Sequence, residues 1–450
     1  MYIAIPVPYS TDASSCYEAI AEMPWAVWLD SAGMGRYDIL CAQPLVTLVV
    51  FGDITEITDG AGARHTRVDP FEVLRQILGA PIEPMTGVPF AGGALGYWGY
   101  DLAHRSRLLP SQQEPLPDMA VGIYDWAILF DHQERTARLV SHQRYEQTAA
   151  ALRELITRLQ QPPRTAPASK FNVDGQVQSN FTRAKYESAF DVIHGYLEAG
   201  DCYQVNLAQR FTAQAHGDAF PAYQYLRHLS PAPYSAFLNF PHAQILCASP
   251  ERFLRVTAGQ VETRPIKGTR PRTGDAILDA QSAQELQQSG KDRAENLMIV
   301  DLLRNDLGKS CTPGSVKVTK LFEVESYAQV HHLVSTITGL LADGQDALSL
   351  LYHCFPGGSV TGAPKQRAMK IIEELEPHRR GVYCGTIGYI GYDGNMDSNI
   401  VIRTLIYAKH EICFWAGGGI VADSQAGAEF QETLDKAAAM LKVLQQFSGE

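Results

Sequence analysis

Tyr234-Ser-Ala-Phe-Leu-Asn-Phe240, Gln244-Ile-Leu-Cys247, Arg252-Phe-Leu-Arg-Val256 and Val261-Glu-Thr-Arg-Pro265 are four short apolar runs in close succession. The turns between them fall at Pro241 and Gly259. Strands joined so tightly can pair only antiparallel, because a parallel pair needs a long crossover. The same pattern recurs downstream. Val316–Val324 and His331–Leu340 read as strands. Cys384–Gly391, Asn399–Ala408 and Glu411–Ala416 read as a meander, with a hairpin signal at Asp393-Gly394. Helices are interspersed without regular alternation. Tyr186, Phe190, Ile193 and Leu197 form a helical stripe over 182–199 that ends at Gly200. Further helices are expected over 294–307, 364–375 and 427–447. The predicted class is therefore α+β, with large antiparallel sheets packed as a sandwich and helices outside.

The first 150 residues carry short apolar runs, such as Leu45–Phe51 and Trp126–Phe130, and read mostly as strands, closing in a helix over 146–159. Gln160-Gln-Pro-Pro-Arg-Thr-Ala-Pro-Ala-Ser169 holds three prolines and no aliphatic side chain larger than alanine, which is linker chemistry. The division expected is an N-terminal region over 1–155, a linker over 156–178 and a catalytic region over 179–447. The length of 450 residues allows roughly three domains or one large body.

Lysine plus arginine total 38 against 49 aspartate plus glutamate, so the net charge is −11. Such a chain repels phosphate backbones and anionic membranes, which argues against nucleic-acid binding. No run of about 18 apolar residues lacks a charge, and the first residues do not read as a signal peptide. Eight cysteines are scattered singly, without a C-x-x-C pair. Reduced thiols in a cytoplasmic protein are expected, and a zinc site is not.

Several segments carry candidate chemistry. Gly357-Gly-Ser-Val-Thr-Gly-Ala-Pro-Lys365 precedes a helix and can present N–H groups to an anion, or be a tight turn. It is not a Walker loop. Gly417-Gly-Gly419 lies between a strand and the last helix, with no second strand for a dinucleotide fold. Glu429, Glu432 and Lys436 share one face of that helix, either as a solvated face with an i,i+4 ion pair or against a ligand. Glu295 begins another helix, and glutamates from two helices suit Mg²⁺. Arg264, Arg270, Arg272 and Lys267 cluster within nine residues, as an anion site or a solvated basic turn. Lys267 near Glu251 can instead serve as a nucleophilic amine. One of His331 and His332 should face inward by strand alternation. No glutaminase-type cysteine elbow is present, so the chain should not release ammonia from glutamine itself.

Taken in order, Ser249-Pro-Glu-Arg-Phe253, Pro265-Ile-Lys-Gly-Thr-Arg270, Glu295-Asn-Leu-Met298, Asp301-Leu-Leu-Arg-Asn-Asp306, Gly357–Lys365 and Gly417–Ser424 resemble the chorismate-utilising enzymes. That family includes anthranilate, aminodeoxychorismate, isochorismate and salicylate synthases. The likeness is strong over 180–445 and weaker before, at Trp28-Leu-Asp-Ser31 and Gly35-Arg-Tyr37. Two positions choose among members. The isochorismate and salicylate synthases carry a water-activating lysine where this sequence has Gln204. Anthranilate synthases usually carry alanine where it has Lys267, as the aminodeoxychorismate synthases do. The resemblance therefore implies amination of chorismate at C4, for 4-aminobenzoate and folate.

It further implies roles for individual residues. Lys267 would be the covalent nucleophile and Glu251 the general acid, with His332 near the ring. Thr361, Tyr383, Arg403, Gly418, Gly419 and Lys436 would hold the substrate carboxylates. Glu295 and Glu432 would bind Mg²⁺, backed by Asp292 and Glu429. A glutamine amidotransferase subunit would supply ammonia, and a lyase would act downstream. Ser31 and Tyr234 lie near segments that hold tryptophan in some members. The rival readings are anthranilate synthase component I, a non-catalytic ligand-binding protein and, least favoured, a nucleotide binder.

Overall fold

The computed structural model describes residues 2–104, 116–159, 170–327 and 330–449. The proline-rich stretch 160–169 lies outside the described residues. Two twelve-stranded sheets dominate the fold, and every strand pairing within them is antiparallel. Both sheets take strands from either side of the linker. In the first, Tyr234–Phe240 pairs with Ala26–Asp30 on one edge and Ala243–Ser249 on the other. In the second, Thr386–Gly391 pairs with Gly93–Trp98. One continuous apolar core runs through both, from Trp28 and Leu40 to Phe237, Ile337 and Phe414.

The central strands are buried on both faces, which explains their near-continuous apolar character. Gly93–Trp98, Met119–Tyr124 and Ala127–Asp131 carry no exposed residue. The quoted hairpin run forms as the turn chemistry predicts, over Tyr234–Phe240, Ala243–Ser249, Arg252–Thr257 and Gln260–Thr263. The helices follow their expected spans closely, at Thr148–Leu159, Arg183–Glu198, Gly290–Gly308, Lys365–Leu375 and Ala426–Gln446. Among the described residues no helix is long and apolar enough to cross a membrane. All eight cysteines are free thiols.

Three local expectations are corrected. The Gly417–Gly419 run is not a loop. Its strand extends over Glu411–Ile420 and pairs with Gln204–His216, setting Leu207 opposite Gly418 and Asn206 opposite Gly419. The segment 399–408 is not one strand: Met396–Asn399 and Thr404–Ala408 belong to different sheets. Both His331 and His332 are buried, because the strand Val330–Leu340 is covered on both faces. His331 is held by Asp279 and Ser326, and His332 by Thr269.

One buried ion pair ties the two halves of the later site together. Arg380 and Glu376, four residues apart just past the end of the helix Lys365–Leu375, have side chains only 2% and 3% exposed and meet at 2.6 Å. Glu376 accepts the N–H of Ala208 at 2.9 Å. Arg380 donates to the carbonyls of Val360 at 2.8 Å and Asn206 at 2.9 Å. It thereby fastens the glycine-rich segment to the strand that carries Gln204. Replacing Arg380 with Met strands a buried carboxylate, which costs about 3–5 kcal/mol. The urea midpoint of the Arg380→Met protein should fall accordingly; a midpoint equal to the parent's contradicts this role.

Candidate active site

Lys267 sits on the strand Ile266–Pro271, with its amine 3.3 Å from the carbonyl oxygen of Ser359. Burial lowers its pKa below that of a free lysine, opposed chiefly by the negative charge of Glu295 and also by Glu251 and Glu432. A desolvated amine is more often neutral and so more nucleophilic. Glu251 is 5% exposed, and burial raises its carboxyl pKa against hydrogen bonds from Ser359 and the Ile266 backbone and the charge of Lys267. A carboxyl group shifted toward its acid form beside an amine shifted toward its neutral form is the pairing that acid-assisted nucleophilic displacement needs. Ser359 joins the two, since its side chain bonds Glu251 and its carbonyl accepts from Lys267.

A second cluster of charge comes from two helices. Glu295, on Gly290–Gly308, has its pKa raised, first by burial, with the charges of Asp292 and Glu432 acting in the same direction. Glu432 and Glu429 project from Ala426–Gln446 toward the strand bearing Gly418. A Cβ at Gly418 would lie 3.1 Å from Glu429 Oε2 and 3.2 Å from Glu432 Oε1, so glycine there leaves the carboxylates room. Glu429 is buried, and its Oε2 has no hydrogen-bond partner among the described residues. Ser424 donates to its other oxygen at 2.7 Å. Glu432 pairs with Lys436 at 2.6 Å, as the i,i+4 spacing predicts, and Lys436 also donates to the Gly417 carbonyl at 3.0 Å. Lys291 lies 4.0 Å from both Glu295 and Glu429. Among the described residues no three His, Cys, Asp or Glu side chains form a ready-made metal cage.

Arg403 faces the acid. Its guanidinium interacts with Glu251, yet no carboxylate lies within ion-pair distance of it among the described residues. Its backbone adopts φ +51°, a left-handed conformation uncommon outside glycine. A half-buried guanidinium left open in this way is suited to a ligand carboxylate. Tyr383 stacks on Trp415 with ring centroids 5.9 Å apart. Thr361 is fully buried, with its hydroxyl donated to the Gly357 carbonyl at 3.0 Å.

Of the two readings of the arginine-rich turn, the anion site finds no support among the described residues. Arg264 pairs with Glu325, Arg270 with Asp292 and Arg272 with Asp279. Asp292 is thus engaged with Arg270, leaving Glu429 as the carboxylate closest in character to a support for Glu432. The glycine-rich segment is not an open anion loop either: Gly362-Ala363 pairs with Gln204-Val205, and Lys365 is held by Asp306 and the Cys354 carbonyl. Ser31 and Tyr234 line a separate cavity of ≈ 710 Å³ that Lys267 does not line.

The profile of chorismate binding enzymes matches residues 26–442. The chain belongs to that family. It is 47% identical over 453 residues to aminodeoxychorismate synthase component 1 of Escherichia coli, covering 98% of each chain. It is 40% identical to anthranilate synthase component 1 of Thermus thermophilus, covering 85% of this chain and 84% of that one. Among solved structures, anthranilate synthase component I from Streptococcus pneumoniae superposes with TM-score 0.81 at 33% identity, over 90% of this chain and 92% of that one. The two-sheet α+β architecture is thus the fold of chorismate-utilising enzymes.

Burial also sets the protonation of His332. Its Nδ1 lies 2.9 Å from Thr269 Oγ1, and burial together with the Arg403 charge pushes its pKa down from 6.5 to about 4. The unfolded chain binds a proton below 6.5 that the folded chain refuses until about 4. Stability therefore falls as pH drops through that window. His332→Gln removes this penalty, so near pH 4 the variant should lose about 3 kcal/mol less than the parent. Urea unfolding of both proteins from pH 7 to 4 measures the difference, and parallel curves would refute it.

Proposed function

We propose that this chain aminates chorismate at C4, giving 4-amino-4-deoxychorismate for 4-aminobenzoate and folate, as the synthase component that receives ammonia from a glutamine amidotransferase subunit. The observation that carries the proposal is the desolvated amine of Lys267 joined through Ser359 to the buried acid Glu251. The free thiols suit a reducing cytoplasm.

Glu251, whose pKa burial raises, donates its proton to the C4 hydroxyl, which leaves as water. Lys267 attacks C2 as the C4–O bond breaks and the ring double bonds shift. Ammonia then bonds to C4, the double bonds shift back, and the C2–N bond breaks with its electron pair returning to Lys267. Glu251, now a carboxylate, takes up the proton that ammonia releases. Two displacements place the amine at C4 rather than C2, and the enolpyruvyl ether is untouched. Arg403 and the backbone N–H groups near Gly418 and Gly419 orient the carboxylates, with Tyr383 and Thr361 shaping the pocket wall. His332, neutral at working pH, offers a hydrogen bond and no charge.

Glu295 and Glu432, with Glu429 beside them, fit Mg²⁺. The unpartnered Oε2 of buried Glu429 and the mutual repulsion of Glu295 and Glu432 both call for a cation at this point. Two carboxylates completed by water and a substrate oxygen suit that ion. When bound, it supplies positive charge to a substrate carboxylate.

The test is product identification. Purified protein is incubated with chorismate, Mg²⁺ and ammonium at alkaline pH, where more of the ammonium is free ammonia, and the mixture is analysed by mass spectrometry. The expected product is an amine that retains the enolpyruvyl group; anthranilate plus pyruvate would instead assign the chain to the other branch of the family. Lys267→Ala should lower turnover by at least about 10³-fold, roughly 4 kcal/mol in barrier. Its chorismate affinity by calorimetry should stay within a few-fold, and an unaffected rate would end the covalent mechanism.

A further inference from the structure

Gln204 and Asn206 lie two residues apart on the strand Gln204–His216, on its face toward the site. Gln204 Nε2 donates to Asn206 Oδ1 at 2.8 Å. Asn206 Nδ2 donates to the Ser359 carbonyl at 3.0 Å, the same oxygen that accepts from Lys267. That carbonyl is acceptor-only, so it dictates the orientation of each amide in turn. Asn206 must face it with its NH₂ group. Its Oδ1 must then face Gln204, and Gln204 must answer with Nε2. Oε1 of Gln204 is left pointing the other way.

That oxygen is the anomaly. Gln204 is fully buried, yet its Oε1 has no hydrogen-bond donor among the described residues. A buried amide oxygen without a donor costs about 1–3 kcal/mol unless something fills the position. The strand opposite makes room for the amide pair: a Cβ at Gly419 would lie 2.7 Å from Gln204 Nε2 and 3.0 Å from Asn206 Oδ1. A glutamine oxygen accepts a hydrogen bond but is too weak a base to activate water. It suits a nucleophile that carries N–H bonds and needs no base.

We propose that Asn206 is a positioning residue that locks the Gln204 amide with Oε1 as the acceptor for incoming ammonia. The inference rests on the reading of ammonia as nucleophile given above. Asn206 couples the two nucleophiles of the double displacement, since the carbonyl it bonds also holds Lys267. Without it, the Gln204 amide turns freely and offers a donor as often as an acceptor.

The experiment is steady-state kinetics of the full chain with chorismate, Mg²⁺ and ammonium chloride as the nitrogen source. Three proteins are compared: the parent, Asn206→Ala and Asn206→Asp. Asn206→Ala should raise the KM for ammonium about tenfold, the worth of one hydrogen bond. Its KM for chorismate should stay within about twofold, because the Asn206 side chain bonds Gln204 and the Ser359 carbonyl and none of the groups assigned to the carboxylates. Asn206→Asp keeps an acceptor for Gln204 Nε2 but loses the donor to Ser359. Its ammonium KM should stay within about threefold of the parent's, with the loss falling on kcat through Lys267. The proposal is overturned if Asn206→Ala leaves the ammonium KM unchanged or moves both KM values alike. It is also overturned if Asn206→Asp matches Asn206→Ala in ammonium KM. A parent that forms no amino product overturns the amination reading itself and the proposal with it.

Discussion

The site depends on the desolvated ion pair between Arg380 and Glu376. Neither partner can be lost alone, because a lone buried charge is far costlier than the pair. The guanidinium has N–H groups left over after Glu376 is satisfied, and they reach Val360 and Asn206, one on each wall of the site. The Ser359 carbonyl is thereby held against the Gln204 strand, where it receives both Lys267 and Asn206. A chain with two large sheets has many ways to place a loop slightly wrong. A fully buried arginine with fixed partners removes that freedom.

On this frame the electrostatics divide the labour. Burial pushes Lys267 toward the neutral amine and Glu251 toward the neutral acid. The opposite treatment is given to Glu432, whose pairing with Lys436 holds it below its ordinary range despite burial. Of the three helix carboxylates only Glu432 is held below its ordinary range, while burial raises Glu295 and Glu429. Arg403, left-handed in its backbone and without an ion-pair partner among the described residues, faces Glu251.

Much of this was legible in the sequence. The hairpin run around Tyr234–Pro265 gave away the antiparallel class, since turn chemistry is local. Lys267, Glu251 and Glu295 sit in long motifs whose order is distinctive, and Glu432 on a helix face shared with Glu429 and Lys436. Other features were hidden for physical reasons. Three consecutive glycines look like a loop, yet Gly417–Gly419 is a strand, because pairing with a partner some two hundred residues away overrides local propensity. The arginines near Lys267 suggested an anion site, but each finds a carboxylate on an element that only the tertiary fold brings near. Arg380, Ser359 and Asn206 carry no periodic signal. Their importance lies in which carbonyls they meet, and that is a property of the folded chain.

The central claim is that Lys267 becomes covalently bonded to the substrate before ammonia arrives. It is tested most directly by intact-protein and peptide mass spectrometry after incubation with chorismate and Mg²⁺, with ammonia withheld and the reaction quenched in acid. The account predicts an added mass of chorismate less one water, on the peptide that contains Lys267 and absent from Lys267→Ala. Unmodified protein under conditions in which added ammonium restores turnover, or the same mass on another lysine, would contradict it.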